Sequence, residues 1–217
     1  MKKRGIIVFL AFLTALVITV PNLTWAETPK EIKIGATIAL SGRFKGIVGE
    51  FEKLGKNWTD MVNERGGIYV KEYGKKLPIK FQIYDDGSKP ENARKFYEKM
   101  AADRNLSFFM GPFSSFISNA AITVAAKHKI PMVLVCANDA VLFEKPNYWR
   151  VTQLKSAEWE WLRLVDIYKA KGGVKTLATL TMDNLHNKGV TRGFEEAMKK
   201  NGFKVVYSKI ADRKSVV

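Results

Sequence analysis

Cysteine and histidine are nearly absent: in 217 residues there is one cysteine, Cys136, and there are two histidines, His128 and His186. A single thiol excludes an intrachain disulfide framework, and with two distant imidazoles it excludes a Cys/His zinc cluster. Acidic side chains are scarce too, 21 Asp and Glu against 36 Lys and Arg, which leaves a formal charge of +15. That surplus admits acidic polymers, anionic membrane surfaces and carboxylate solutes as partners, and chooses none of them. The motifs of enzyme chemistry are missing: there is no Gly-x-Ser-x-Gly elbow, no Gly-x-x-x-x-Gly-Lys phosphate loop and no Gly-x-Gly-x-x-Gly turn. A small-molecule enzyme is therefore the weaker reading, and neither cofactor nor metal is implied. The lysines are scattered instead of forming one stripe with interleaved aromatics, which argues against nucleic acid. No internal repeat and no low-complexity stretch interrupts the chain.

At 47% hydrophobic and 26% charged residues, the composition is that of a folding chain. Lys2, Lys3 and Arg4 precede an apolar run over residues 6–20, which Pro21 breaks before Thr24-Trp25-Ala26. This is the pattern of a secretory signal peptide, residues 1–26, cut after Ala26. The run is shorter than the roughly 20 apolar residues of a membrane-spanning helix. No cysteine follows it, which argues against lipid attachment. In an oxidising compartment a lone thiol has no partner, so Cys136 is expected to be buried and inert.

From residue 27 onward, strand-length apolar runs alternate with helix-period segments, as in an α/β fold with a parallel sheet flanked by helices. Residues 32–40 form a continuous apolar strand suited to a buried central place. In residues 78–84, Ile79, Phe81 and Ile83 alternate with polar neighbours and mark an edge strand. Further strands are expected over 106–110, 131–135, 175–181 and 203–208. Helical stripes comprise Leu54, Trp58, Met61 and Val62; Ala93, Phe96, Tyr97 and Met100 behind a Ser88/Glu91 capping box; Ile117, Ala121, Val124, Ala125 and His128; Ala157, Trp161, Leu164, Val165 and Tyr168; and Val190, Phe194, Ala197 and Met198. His128 reads as a packed core histidine. A change of domain is expected near residues 148–155, giving a first lobe over 27–152 and a partial second lobe over 153–217.

In an open parallel sheet, ligands collect at the carboxyl ends of the strands where strand order reverses. With the 78–84 strand at the edge the order is 2-1-3-4, a flavodoxin-like arrangement, and the reversal brings residues 41–44, 111–115 and 136–139 to one rim. Ser114 and Ser115 open a helix whose free amides and dipole suit an anion, or they serve only as caps. Ser41 and Phe44 read as pocket wall or ordinary turn, and Arg43 as solvated. His186 begins a helix, as a ligand contact or as its cap. Asp85 and Asp86 are adjacent on an extended strand and point to opposite faces, which makes paired acid/base catalysis improbable.

Five motifs recur in order: Ala39-Leu40-Ser41-Gly42; Val62-Asn63-Glu64-Arg65-Gly66-Gly67-Ile68; Tyr84-Asp85-Asp86; the 111–115 turn; and Ile130-Pro131. Together they resemble the type I periplasmic solute-binding proteins of ABC transporters, the leucine/isoleucine/valine-binding branch, over about residues 31–208. The resemblance implies a two-lobed clamp in the periplasm that closes on a small solute, a branched-chain amino acid or related carboxylate or amide, and presents it to a membrane permease. It implies that Ser115 holds the ligand carboxylate, that Cys136 adds a backbone contact, and that Asn138 stands where relatives carry Ser or Thr. His186-Asn187 stands where they carry Tyr-Gly. Relatives have a longer chain, and a further acidic contact would lie beyond Val217, so a truncated product that binds amino acids weakly or not at all by itself is expected. A ligand-sensing domain of the same fold and a non-functional remnant are the alternatives. N-terminal sequencing of the secreted product should read from Glu27; a start at Met1 would overturn the assignment of residues 1–26.

Overall fold

The computed structural model describes residues 28–144 and 147–211. The signal segment and its cleavage point lie outside the described residues. Strand β1 (Ile32–Ile38) buries four consecutive residues, Ile34 to Thr37, as a strand covered on both faces must. A one-turn helix α1 (Lys45–Val48) and the longer α2 (Phe51–Glu64) follow. A short hairpin of β2 (Ile68–Val70) and β3 (Lys75–Leu77), absent from the sequence reading, leads into β4 (Ile79–Asp85). Then come α3 (Pro90–Ala101), β5 (Leu106–Met110), α4 (Ser115–His128), β6 (Met132–Leu134) and β7 (Arg150–Thr152). Among the described residues these strands form a parallel five-stranded sheet in the order β4-β1-β5-β6-β7. This is the expected order extended by one strand. The chain continues through a 3-10 turn, Ala157–Trp159, into α5 (Leu162–Lys171), β8 (Thr176–Met182), α6 (Leu185–Lys200) and β9 (Lys204–Ala211). Strands β8 and β9 pair in parallel as a second sheet.

The main core lies between the first sheet and helices α3 and α4. Tyr97, Met100, Phe109, Ile117, Val124, Met132 and Leu134 are buried there, and the Tyr97 and Phe109 rings meet edge to face at 4.9 Å. A smaller core joins Val165, Phe194, Met198 and Phe203. The α2 stripe is an exception. Leu54, Trp58 and Met61 stay 59%, 42% and 43% exposed, because α2 stands off over the edge strand β4 and touches it through the Trp58–Phe81 ring contact.

Two local expectations change. Ser88 does not cap α3: the N-cap position is Lys89, and the Ser88 backbone is left-handed (φ 62°), turning its hydroxyl toward the loop after β1. His128 is not a core residue: it ends α4 at the surface, where Nε2 lies 2.7 Å from Glu98 Oε2. The apolar stripe of α4 stops at Ala125, one turn before it.

Tyr97 is polar in the centre of the main core. Its hydroxyl donates to Met110 O at 2.5 Å and accepts from Thr37 N at 3.3 Å, and burial pushes its phenol up. Tyr97→Phe leaves both backbone groups without that partner. The expected loss is about 1–2 kcal/mol of unfolding free energy, read as a lower urea midpoint at unchanged slope.

Candidate functional site

The carboxyl ends of β1, β5 and β6 open onto one rim. After β5 the chain turns through Pro112 and Phe113 into α4, with Ser114 as the N-cap. Ser114 sits at φ 76° and ψ 145°, a costly backbone for a side chain with a Cβ. It is held there from three directions: its N–H donates to Cys136 O (3.2 Å), its carbonyl accepts from Ser118 N (3.0 Å), and its Oγ accepts from Ile117 N (3.3 Å). The next residue, Ser115, is only 2% exposed. Its Oγ accepts from the amides of Asn138 and Asp139, both at 3.3 Å, which leaves the hydroxyl one proton to donate.

Asn138 is a junction. Its Nδ2 donates to Lys155 O (2.9 Å) and to Glu160 Oε1 (2.7 Å), while Oδ1 lies 3.0 Å from His186 Nδ1. Two acceptors on one side fix the orientation of the amide, so Oδ1 faces the imidazole. A carbonyl only accepts, so Nδ1 of His186 carries the proton there and Nε2 faces Glu160 Oε2 at 3.7 Å. The Asn138 carbonyl also accepts from Ala157 N at 2.9 Å. Beside it, Asp139 is buried; burial pushes its carboxyl up, although Val141 N donates to it at 2.9 Å. Helix α6 reaches this region because Gly189 and Gly193 present no side chain. A Cβ on Gly189 would lie 2.5 Å from Asp139 Oδ2, and one on Gly193 would lie 2.1 Å from Glu158 O.

The loop after β1 is shaped by the two aspartates at the end of β4. Asp85 Oδ1 accepts from the amides of Leu40 (3.0 Å), Ser41 (3.1 Å) and Gly87 (2.8 Å). Burial pushes its carboxyl up, but the bonds from Ser41, Gly87 and Leu40 outweigh that and hold it below the usual range. Asp86 points the other way into the core, where it accepts from Thr37 Oγ1 at 2.8 Å, and burial raises it. Ser88 Oγ donates to Ser41 O at 3.0 Å and accepts from Phe44 N at 3.0 Å. Both backbone groups of Ser41 are thus used within the turn. Phe44 is fixed facing Phe113, ring centroids 5.1 Å apart and edge to face.

A cavity of about 520 Å³ lies above this rim, a size suited to a small organic solute. The first-sheet side supplies Arg43, Phe44, the 113–116 turn, Cys136 and Asn138. Leu154, Glu160 and residues 182–187 close the other side. Of the seven residues expected in the site, the structure brings six to this cavity: Phe44, Ser114, Ser115, Cys136, Asn138 and His186. Ser41 is not among the lining residues, because the turn has taken its polar groups inward. Ser114 is the cap of α4, whereas α6 is capped by Asn184, whose side chain accepts from Asn187 N, and His186 is the second residue of its first turn. Cys136 is half-buried on the cavity wall, and burial pushes its thiol up.

Arg43, Glu160 and Asn184 were not legible as site residues. Arg43 is exposed, as expected, yet its guanidinium carbon lies 4.4 Å from the Phe44 ring centroid and 5.4 Å from that of Phe116, at the cavity. Glu160 gave no signal, because it closes the 3-10 turn ahead of α5, where the helical period read from the sequence does not hold. Among the described residues, no group of three or more His, Cys, Asp or Glu side chains could hold a metal ion, and no helix is long and apolar enough to cross a membrane.

The family model for periplasmic binding protein matches residues 31–212. The chain belongs to that family. Its members work outside the cytoplasm. Solved structures with the same fold include a branched-chain amino acid transporter substrate-binding protein of Streptococcus pneumoniae in complex with isoleucine (22% identity, TM-score 0.70, covering 85% of this chain and 50% of that one). Another is an ABC-transporter solute-binding protein of Rhodopseudomonas palustris in complex with 4-hydroxybenzoate (18%, TM-score 0.69, 84% and 47%). A third, from Rhodopseudomonas palustris BisB5, is in complex with 3,4-dihydroxybenzoic acid (18%, TM-score 0.67, 84% and 48%). This periplasmic binding protein chain spans about half the length of those proteins. Among curated proteins none matches.

The Asn138 junction makes a quantitative expectation. Asn138→Ala removes three side-chain hydrogen bonds at a buried position and should cost about 1–3 kcal/mol. Asn138→Asp should cost more, because a carboxylate would face Lys155 O and Glu160, both acceptors. Urea unfolding of the two variants checks the order; an Asp variant as stable as wild type would overturn the donor assignment.

Proposed function

We propose that this chain is the solute-binding receptor of an ABC-type transporter, taking a small organic carboxylate into the cavity between its two sheets and working with a membrane permease. The observation that carries this reading is that two helix amino ends, α4 at Ser114–Phe116 and α6 at Asn184–Asn187, face one cavity from opposite sides. First-turn amides have no intrahelical acceptor, and the helix dipole favours negative charge there. Apolar rings around them, Phe44, Phe113 and Phe116, exclude water and strengthen that attraction. The ligands named for the similar structures, isoleucine and two hydroxybenzoates, share only the carboxylate, the one group this geometry addresses directly. Ser115, Ser114, Cys136, Asn138, Phe44 and His186 are the proposed contacts. Asn138 and Ser115 act mainly by building the wall, since protein partners already use most of their polar atoms. The first lobe is proposed to comprise residues 27–152 and the second to begin at 153. The extracytoplasmic place of the family fits a receptor delivered by the proposed signal segment, residues 1–26. The family is one of transporter receptors, which bind and release without turnover.

The test is titration of the full chain with isoleucine and with 4-hydroxybenzoate, followed by calorimetry and thermal unfolding. Saturable binding of either should raise Tm, since a ligand at about 100 times its Kd stabilises by about 2.7 kcal/mol. No heat and no Tm rise with either at millimolar concentration would overturn the reading.

A further inference from the structure

Among the described residues that line the cavity, Arg43 is the one whose charge has no counterpart. Among the described residues no Asp or Glu lies within ion-pair distance of it, although ten such pairs form elsewhere. The two carboxylates that line the cavity already have donors: Glu160 takes Asn138 Nδ2 at 2.7 Å, and Asp183 takes Lys188 Nζ at 2.8 Å. Nor is Arg43 placed at random. Its guanidinium lies over Phe44 and within reach of Phe116, and Phe44 is itself pinned through Ser88 and Phe113. A guanidinium stacked on ring faces keeps its N–H donors free at the edge, in the fork that matches a carboxylate. Ser115, by contrast, is closed in and tied to two amides.

We propose that Arg43 is the specificity-determining residue of the cavity: it holds the acidic group of the solute directly, so that the site selects carboxylates over their neutral amides. This rests on the solute-binding reading and narrows it. A flexible lysine at position 43 would keep the charge but lose the stacked fork, so the proposal orders three side chains: arginine, then lysine, then glutamine.

The experiment compares 4-hydroxybenzoate with 4-hydroxybenzamide, and isoleucine with isoleucinamide, on wild type, Arg43→Lys and Arg43→Gln, with Tm of each unliganded variant as the control for folding. Arg43→Gln should weaken the binding carboxylate about 10-fold to 100-fold, the range for losing a hydrogen bond to a charged group, with Arg43→Lys between. The amide should bind wild type weakly and be affected less than about 3-fold by either substitution, and Tm should stay unchanged because the side chain is exposed. Carboxylate affinity unchanged in Arg43→Gln would overturn the role of Arg43 and leave the receptor reading standing. Equal losses for acid and amide would make Arg43 a packing residue and overturn the proposal as well. A wild type that binds none of the four probes would overturn the receptor reading, and this proposal with it.

Discussion

One amide side chain holds the two halves of the cavity in register. Asn138 extends from the loop after β6, and its three side-chain hydrogen bonds go to Lys155, Glu160 and His186, all on the far side. Its backbone amide bonds back to Ser115 on the near side. A side chain with one acceptor and two donors suits a site that offers one N–H and two oxygens; neither Asp nor Leu, which have similar size, would satisfy all three partners. The same constraint fixes the His186 tautomer and the height of α6 above the rim. The walls of the cavity are therefore set by hydrogen-bond complementarity, whereas its lining is largely aromatic and aliphatic.

A second network does for the β1 loop what Asn138 does for the opposite wall. Asp85 gathers three amides, Ser88 bridges Ser41 and Phe44, and the left-handed backbone at Ser88 makes that bridge possible. Its product is the position of the Phe44 ring, and on that ring lies Arg43. Sequence thus reaches the site through an intermediate: two adjacent aspartates that look like a catalytic pair turn out to be loop geometry.

The parallel sheet, its order and the three rim loops were legible because they depend on hydrophobic runs and turn residues, which the chain writes locally. Cys136, Asn138 and Ser115 fell at the cavity for the same reason, being the residues that follow strands. What escaped depends on contacts between distant segments. Arg43 and Ser41 are two residues apart, and nothing local tells which faces the cavity; the choice is made by Asp85 and Ser88, over forty residues away. His128 followed the α4 stripe by period, but the stripe ends a turn earlier where the helix runs past the core. Ser88 had the spacing of a capping box and spent its hydroxyl on tertiary bonds instead. The β2/β3 hairpin is too short and too rich in lysine for periodicity to register.

Helix α6 meets its neighbours through Gly189 and Gly193, so the join there is bare backbone against Asp139 and Glu158. Two codons therefore carry a steric veto: a random change at either would insert even the smallest side chain as a wedge and part the walls of the cavity. Residues such as Leu185 and Asn187, which face the open space between them, can be exchanged without lifting the helix. Changes there alter the lining of the cavity while the joint stays as it is.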